Sequence, residues 1–231
     1  MRALEDLRAA LPVALPVMLG YVAIGIPCGV LSAEAGVSAP WAFLISATYY
    51  SGAGQFMMAS LALSGTPLAA MVASVALVGT RQLLYSAALA PYLERAPRPL
   101  AALFAATVTD ESFGVNLERL VSDRSWTPGR ATAVNLSCML SWAAANALGA
   151  AVGPALSLPT EVMSFAMTSI FICLLATQRW TPRAAVAAGV AACGVVTLKL
   201  AGAGSLAVLL GALAGVAGGM ALPLGAGGGK R

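Results

Sequence analysis

The chain contains no histidine, only four cysteines, and charged residues at just 10% of its 231 positions. Each scarcity removes a class of function. Without histidine there is no His-ligated metal or haem, and no imidazole for acid–base work. Cys28, Cys138, Cys173 and Cys193 all fall in apolar stretches without Cys-x-x-Cys spacing. They read as buried small hydrophobes, so neither a disulfide frame nor a metal site is indicated. A soluble domain carries about 25% charged residues, and this chain lacks the polar surface to face water. No GxxxxGK[ST] loop and no catalytic triad occurs, so no cofactor and no catalytic residue is indicated, and the chain does not read as an enzyme.

What is present is apolar sequence. Hydrophobic residues make up 59% of the chain and the mean hydropathy is +0.85. A membrane span needs about 20 mostly apolar residues, and eight segments qualify or nearly so: 11–33, 39–63, 67–91, 100–117, 131–157, 162–178, 184–199 and 203–223. They are too long and too continuously apolar for barrel strands, which predicts an all-α, polytopic transmembrane helix bundle. Only 118–130 reads as a polar loop of any size, so residues 1–231 are expected to form one integral membrane domain. The last two segments are short and Gly-rich, which leaves seven spans open beside eight. Net charge is +4, but the basic residues are scattered between segments, which argues topology rather than nucleic-acid binding. With eight spans and the N-terminus cytoplasmic, nine of the thirteen Lys and Arg residues fall on the inner side. The opening MRALEDLRAA, with Glu5 and Asp6, lacks the pattern of a cleavable signal peptide.

A faint repeat lays 66–84 over 181–199, matching Thr66, Pro67, Val75, Gly79, Leu83 and several alanines. It suggests halves of about 11–117 and 131–223, parallel or inverted, as transporters often contain.

Three features do not belong in lipid. Arg81 sits about fourteen residues into its segment, where an arginine costs roughly 2.5–3.5 kcal/mol on insertion scales. It is either an anchor for a substrate carboxylate or half of a structural ion pair; Tyr85, one turn on, joins it as a candidate. Asp110 and Glu111 are consecutive, so on a helix they diverge by about 100°. They form a protonatable relay or cation site with Thr107 in reach, or else mark an early helix end at the interface. Third, Tyr49-Tyr50-Ser51-Gly52-Ala53-Gly54-Gln55-Phe56 places two glycines and a glutamine in mid-span. A broken helix there would expose backbone groups to substrate, with Gly52, Gly54 and Gln55 as contacts; close helix packing is the alternative. Gly25 and Gly29, and the ladder Gly211, Gly215 and Gly219, read as faces for close helix approach. Pro12, Pro16 and Pro27 predict an irregular first helix. Asn116, Asn135 and Asn146 read as interhelical hydrogen-bonding residues.

Together the stretches GYVAIGIPCGVLSAEAG (20–36), SATYYSGAGQF (46–56), TRQLLYSAALAP (80–91) and TDESFG (109–114) resemble the AzlC family, the large subunit of two-component branched-chain amino acid exporters. One departure is Gln82, where that family commonly has histidine. The resemblance implies export of branched-chain amino acids, and in some members methionine, by secondary transport across the bacterial cytoplasmic membrane. It also implies a small AzlD-type membrane subunit as partner. A non-transporting structural subunit or a channel for small zwitterions remains the competing class from the residues alone.

Overall fold

The computed structural model describes residues 2–94, 96–156, 180–202 and 206–221, with five isolated positions between 165 and 176. Every regular element among them is helical: α1 (Arg2–Glu34), α2 (Ala39–Thr48), α3 (Gly52–Leu63), α4 (Leu68–Leu89), α5 (Arg98–Thr107), α6 (Asp110–Ser122), α7 (Pro128–Leu156), α8 (Pro182–Leu200) and α9 (Leu206–Ala221). Four stretches are long and apolar enough to cross a membrane: Ala3–Glu34, Leu68–Leu93, Pro128–Ala155 and Pro182–Leu200. The predicted segment 162–178 lies almost wholly outside the described residues.

Two predicted spans are each a pair of half-length helices. At about 1.5 Å per residue, neither α2 nor α3 crosses a roughly 30 Å hydrocarbon core alone, but together they do. The same arithmetic applies to α5 and α6. The break between α2 and α3, at Tyr49-Tyr50-Ser51, matches the expectation from the glycines, and Ser51 caps α3 by accepting from the Gly54 N–H at 3.3 Å. The break at Val108-Thr109 corrects the reading of 100–117 as one helix. It also carries α6 to Ser122, into the stretch read as a loop. The physical reason is capping. Thr109 accepts from the Ser112 N–H, Ser112 Oγ accepts from the Thr109 N–H at 2.9 Å, and two acids follow in the first turn. Thr107 consequently serves α5, donating to the Leu103 carbonyl at 2.7 Å, and does not reach Asp110 or Glu111.

The chain forms two units, Met1–Phe171 and Ile172–Arg231. In the first, α1 runs unbroken through its three prolines and packs parallel to α7. Small residues on both helices allow the approach. A methyl group on Gly29 would overlap the Asn146 carbonyl, and one on Gly149 would overlap that of Ile26, while Gly153 sits over Val30. Tyr21, Cys28 and Leu31 of α1 bury against Val134, Cys138 and Trp142 of α7, with Phe56 and Phe104 filling between. Asn116 donates to Asn135 Oδ1 at 2.8 Å, joining α6 to α7, and Asn135 reaches the Phe104 carbonyl of α5. Asn146, in contrast, donates within its own helix, to Trp142 O. In the second unit, α8 and α9 pair antiparallel, with Gly194 against Gly211 and Gly215 and Gly219 against Ala191 and Ala187. Cys28 and Cys138 are buried as expected, but Cys193 is exposed. An apolar side chain on a membrane helix needs no burial in protein, because lipid is as apolar as the core.

Candidate functional site

The α5–α6 break delivers Asp110 and Glu111 into the first turn of α6, where the 100° divergence sends them to different partners. Asp110 accepts a hydrogen bond from Arg81 Nη1 at 2.7 Å, and the two side chains remain 24% and 27% exposed. Glu111 turns the other way and accepts from the Tyr21 hydroxyl of α1, also at 2.7 Å. Tyr21 Oη is in turn 2.7 Å from Thr109 Oγ1. Tyr85, one turn beyond Arg81, stacks on Phe113 of α6 with ring centroids 5.0 Å apart and lies within electrostatic reach of Arg81, Asp110 and Glu111. The structure therefore gathers Arg81, Tyr85, Asp110 and Glu111 around the start of α6.

The other candidates lie at the α2–α3 break. Gln55 is 5% exposed and fully engaged. Its Oε1 accepts from Ser46 Oγ at 2.9 Å and Trp142 Nε1 at 3.1 Å, while its Nε2 donates to the Tyr49 carbonyl at 2.6 Å. That carbonyl is one of those the break releases from the helical ladder. The space above Gly52 is filled by the Trp142 ring, and that above Gly54 by Tyr49, so both glycines admit aromatic rings. Gln82 of α4 donates to the Tyr50 carbonyl at 2.9 Å, satisfying a second released group. A side-chain N–H is what this position supplies.

Behind Gln55 lies a cavity of about 190 Å³. It is lined mainly by apolar side chains, among them Ile45, Met58 and Met71, with Gln55, Asn146 and Ser32 as the polar exceptions. It falls below the roughly 300–1,000 Å³ of drug-sized sites. Neither Arg81 nor Tyr85 borders it. The candidates thus form two groups, the charged cluster on α4 and α6 and the lined cavity beside α3. Trp142 connects them, donating to Gln55 and packing edge-on to Tyr21 at 5.5 Å between centroids.

Sequence reasoning missed Tyr21 and Trp142, and gave Tyr50 and Thr109, within the features it singled out, no site role of their own. A signal existed for Thr109: a threonine followed by two acids and a serine is a helix-start pattern. Tyr21 and Trp142 carry none, because aromatic residues in apolar helices are ordinary.

Apolar helices of spanning length, two broken ones and a charged pair within a span define a polytopic helical membrane protein. The family model described as AzlC protein matches residues 16–156, and the chain belongs to that family. It is 28% identical over 176 residues to the branched-chain amino acid transport protein AzlC of Bacillus subtilis (strain 168), covering 74% of this chain and 67% of that one. It is 26% identical over 170 residues to the inner membrane protein YgaZ of Escherichia coli (strain K12), covering 67% and 69%. An uncharacterized membrane protein of Archaeoglobus fulgidus is 29% identical over 209 residues, covering 88% and 90%. No solved structure matches the chain.

Proposed function

We propose that this protein is the large subunit of a secondary transporter that exports branched-chain amino acids across a bacterial cytoplasmic membrane. In this reading it is driven by the proton gradient, works with a small AzlD-type membrane subunit, and is not an enzyme. The observation that carries the reading is the Arg81–Asp110 pair. It sits at the fourteenth residue of a 22-residue apolar helix, with about a quarter of each side chain still open. A pair that must admit a carboxylate needs access, which the open quarter of each side chain provides. A zwitterion can exchange its carboxylate for that of Asp110 on Arg81, with Tyr85 beside it. Gly52, Gly54 and Gln55 at the neighbouring break would join the site once the Trp142 and Tyr49 rings over the glycines turn aside, and the apolar cavity behind Gln55, separate from Arg81, suits a branched side chain. The family membership supports the substrate class, as does the printed name of the B. subtilis relative. The excess of basic residues in the links supports a cytoplasmic N-terminus.

The test is uptake of labelled leucine into inverted membrane vesicles. A coupled carrier accumulates leucine against its gradient when a proton gradient is imposed. Equilibration without accumulation would show a channel, and no entry beyond vesicles lacking the protein would show a non-transporting subunit.

A further inference from the structure

We propose that Glu111 is the proton-binding group of the transport cycle, in a hydroxyl chain with Tyr21, Thr109 and Tyr50, and that Asp110 serves Arg81 instead. This rests on the transport reading above and deepens it by separating the two acids.

The first argument is charge. Two carboxylates share the start of α6. One guanidinium, Arg81, faces them and is engaged by Asp110. The α6 N-terminus contributes roughly half a positive charge, so about half a negative charge is left over, on the side of Glu111. Among the described residues no cation lies within ion-pair distance of Glu111. The groups around it are Tyr21 from α1, Tyr50 from the α2–α3 break, Tyr85 and Arg81 from α4 and Cys138 from α7, with Asp110 its neighbour on α6. Arg81 alone of these is positive, and its charge is engaged by Asp110. A proton is the counter-charge the site can take without displacing anything.

The second argument is the hydrogen-bond chain, which closes in both protonation states. With Glu111 ionised, Tyr21 donates its single proton to Glu111 Oε2, and so accepts from the Thr109 hydroxyl. With Glu111 protonated, the order reverses. Glu111 donates to Tyr21, Tyr21 donates to Thr109 Oγ1, and the Thr109 hydroxyl turns to Ser112 Oγ, already 3.3 Å away. No donor among Glu111, Tyr21, Thr109 and Ser112 is stranded in either state. The proton arrives from hydronium, leaving water, and departs to water.

The third argument is an unused donor. The Tyr50 hydroxyl is buried and has no hydrogen-bond partner, although Tyr50 is only 5% exposed. Its ring packs edge-on to Tyr21 at 6.1 Å and its hydroxyl neighbours those of Tyr21 and Thr109. An orphaned buried hydroxyl costs about 1–3 kcal/mol. Its position beside a reversible chain gives it an acceptor when Tyr21 or Thr109 turns.

The experiment uses the full chain, co-expressed with its small membrane subunit and reconstituted in liposomes with an internal pH dye and labelled leucine. Wild type should move protons with leucine. Glu111→Gln should lower the protons moved per leucine by at least about tenfold, while leucine exchange persists at a reduced rate. Asp110→Asn, which removes the carboxylate that competes for Arg81, should tighten leucine binding and keep the proton ratio of whatever transport remains. An unchanged ratio in Glu111→Gln, or loss of the ratio in Asp110→Asn alone, overturns the assignment. Failure of wild type to move leucine overturns the transport reading instead. A readout independent of transport is the carboxylic-acid carbonyl band in pH-difference infrared spectra. The component of the band lost in Glu111→Gln should persist in Asp110→Asn and move in frequency in Tyr21→Phe, which removes the hydroxyl partner and keeps the ring packing. Persistence of the whole band in Glu111→Gln would refute the proposal even if every variant transports poorly.

Discussion

At Arg81, geometry and charge number are separable. A lysine preserves the positive charge but not the planar fork that can hold two carboxylates in turn. Under the proposed function Arg81→Lys should lower leucine export at least about tenfold, the equivalent of one charge-assisted hydrogen bond at ~1.4 kcal/mol. Arg81→Ala should abolish export. Normal export by Arg81→Ala at equal membrane abundance would leave the pair without a transport role. Gln82, one residue on, shows how a family departure can be accommodated. Its amide N–H satisfies the Tyr50 carbonyl freed by the helix break, and a neutral imidazole N–H offers the same donor. Gln82 supplies the donor here without a protonatable ring.

Helices in this protein meet through glycines, and the positions differ in how much they tolerate. Gly20 has open space around it, whereas Gly29 and Gly149 face carbonyl groups of the opposing backbone. Backbone cannot rotate aside as a side chain can. Gly29→Ala or Gly149→Ala should force α1 and α7 apart and destabilise the protein by roughly 1–3 kcal/mol, the usual range for overpacking. Thermal unfolding in detergent should show lower midpoints for both and none for Gly20→Ala. The turn between α6 and α7 carries a different device. Asp123 accepts from the Ser125 N–H at 2.8 Å and from its hydroxyl at 2.7 Å. These donors hold its carboxyl below the ordinary 3.8. A group with a depressed folded value contributes above its unfolded pKa and loses that contribution as pH falls through the folded one. Protection of the Ser125 amide, taken relative to its intrinsic exchange rate, should therefore fall below about pH 4, and Asp123→Ala should show the low protection at all pH values.

Across the molecule, parallel packing of α1 and α7 has a topological consequence. Arg130 Nε lies 3.6 Å from Asp6, and the Thr127 hydroxyl donates to the same carboxylate at 3.4 Å. The start of α1 and the 123–127 turn are therefore on one side of the membrane. Single cysteines at Leu4 and Ser125, in a chain freed of its native cysteines, should be labelled by an impermeant maleimide from the same side of sealed vesicles. Labelling from opposite sides would contradict the pairing. If the inner-side excess of basic residues sets orientation, that side is the cytoplasmic one.

Sequence alone determined the class of this protein and most of its spans, because low charge and long apolar runs exclude water as the solvent whatever the folded shape. It also located the first helix break, since Gly52 and Gly54 weaken a helix locally. Arg81, Asp110 and Glu111 stood out for the same solvation reason: each is expensive in lipid wherever it points. Where they point was decided by tertiary structure. The capping pattern at Thr109 begins a new helix, which separates Asp110 from Glu111 by direction. Only the packing of α4 and α1 around that start gives one acid a guanidinium and the other a tyrosine. Tyr21 and Trp142 became visible at that stage alone, as did the place of the Tyr50 hydroxyl, because an aromatic hydroxyl or indole acquires meaning from the donor or acceptor opposite it. Those partners lie 87 to 90 residues away along the chain for Gln55–Trp142, Tyr21–Thr109 and Tyr21–Glu111, and local pattern carries no information over that distance.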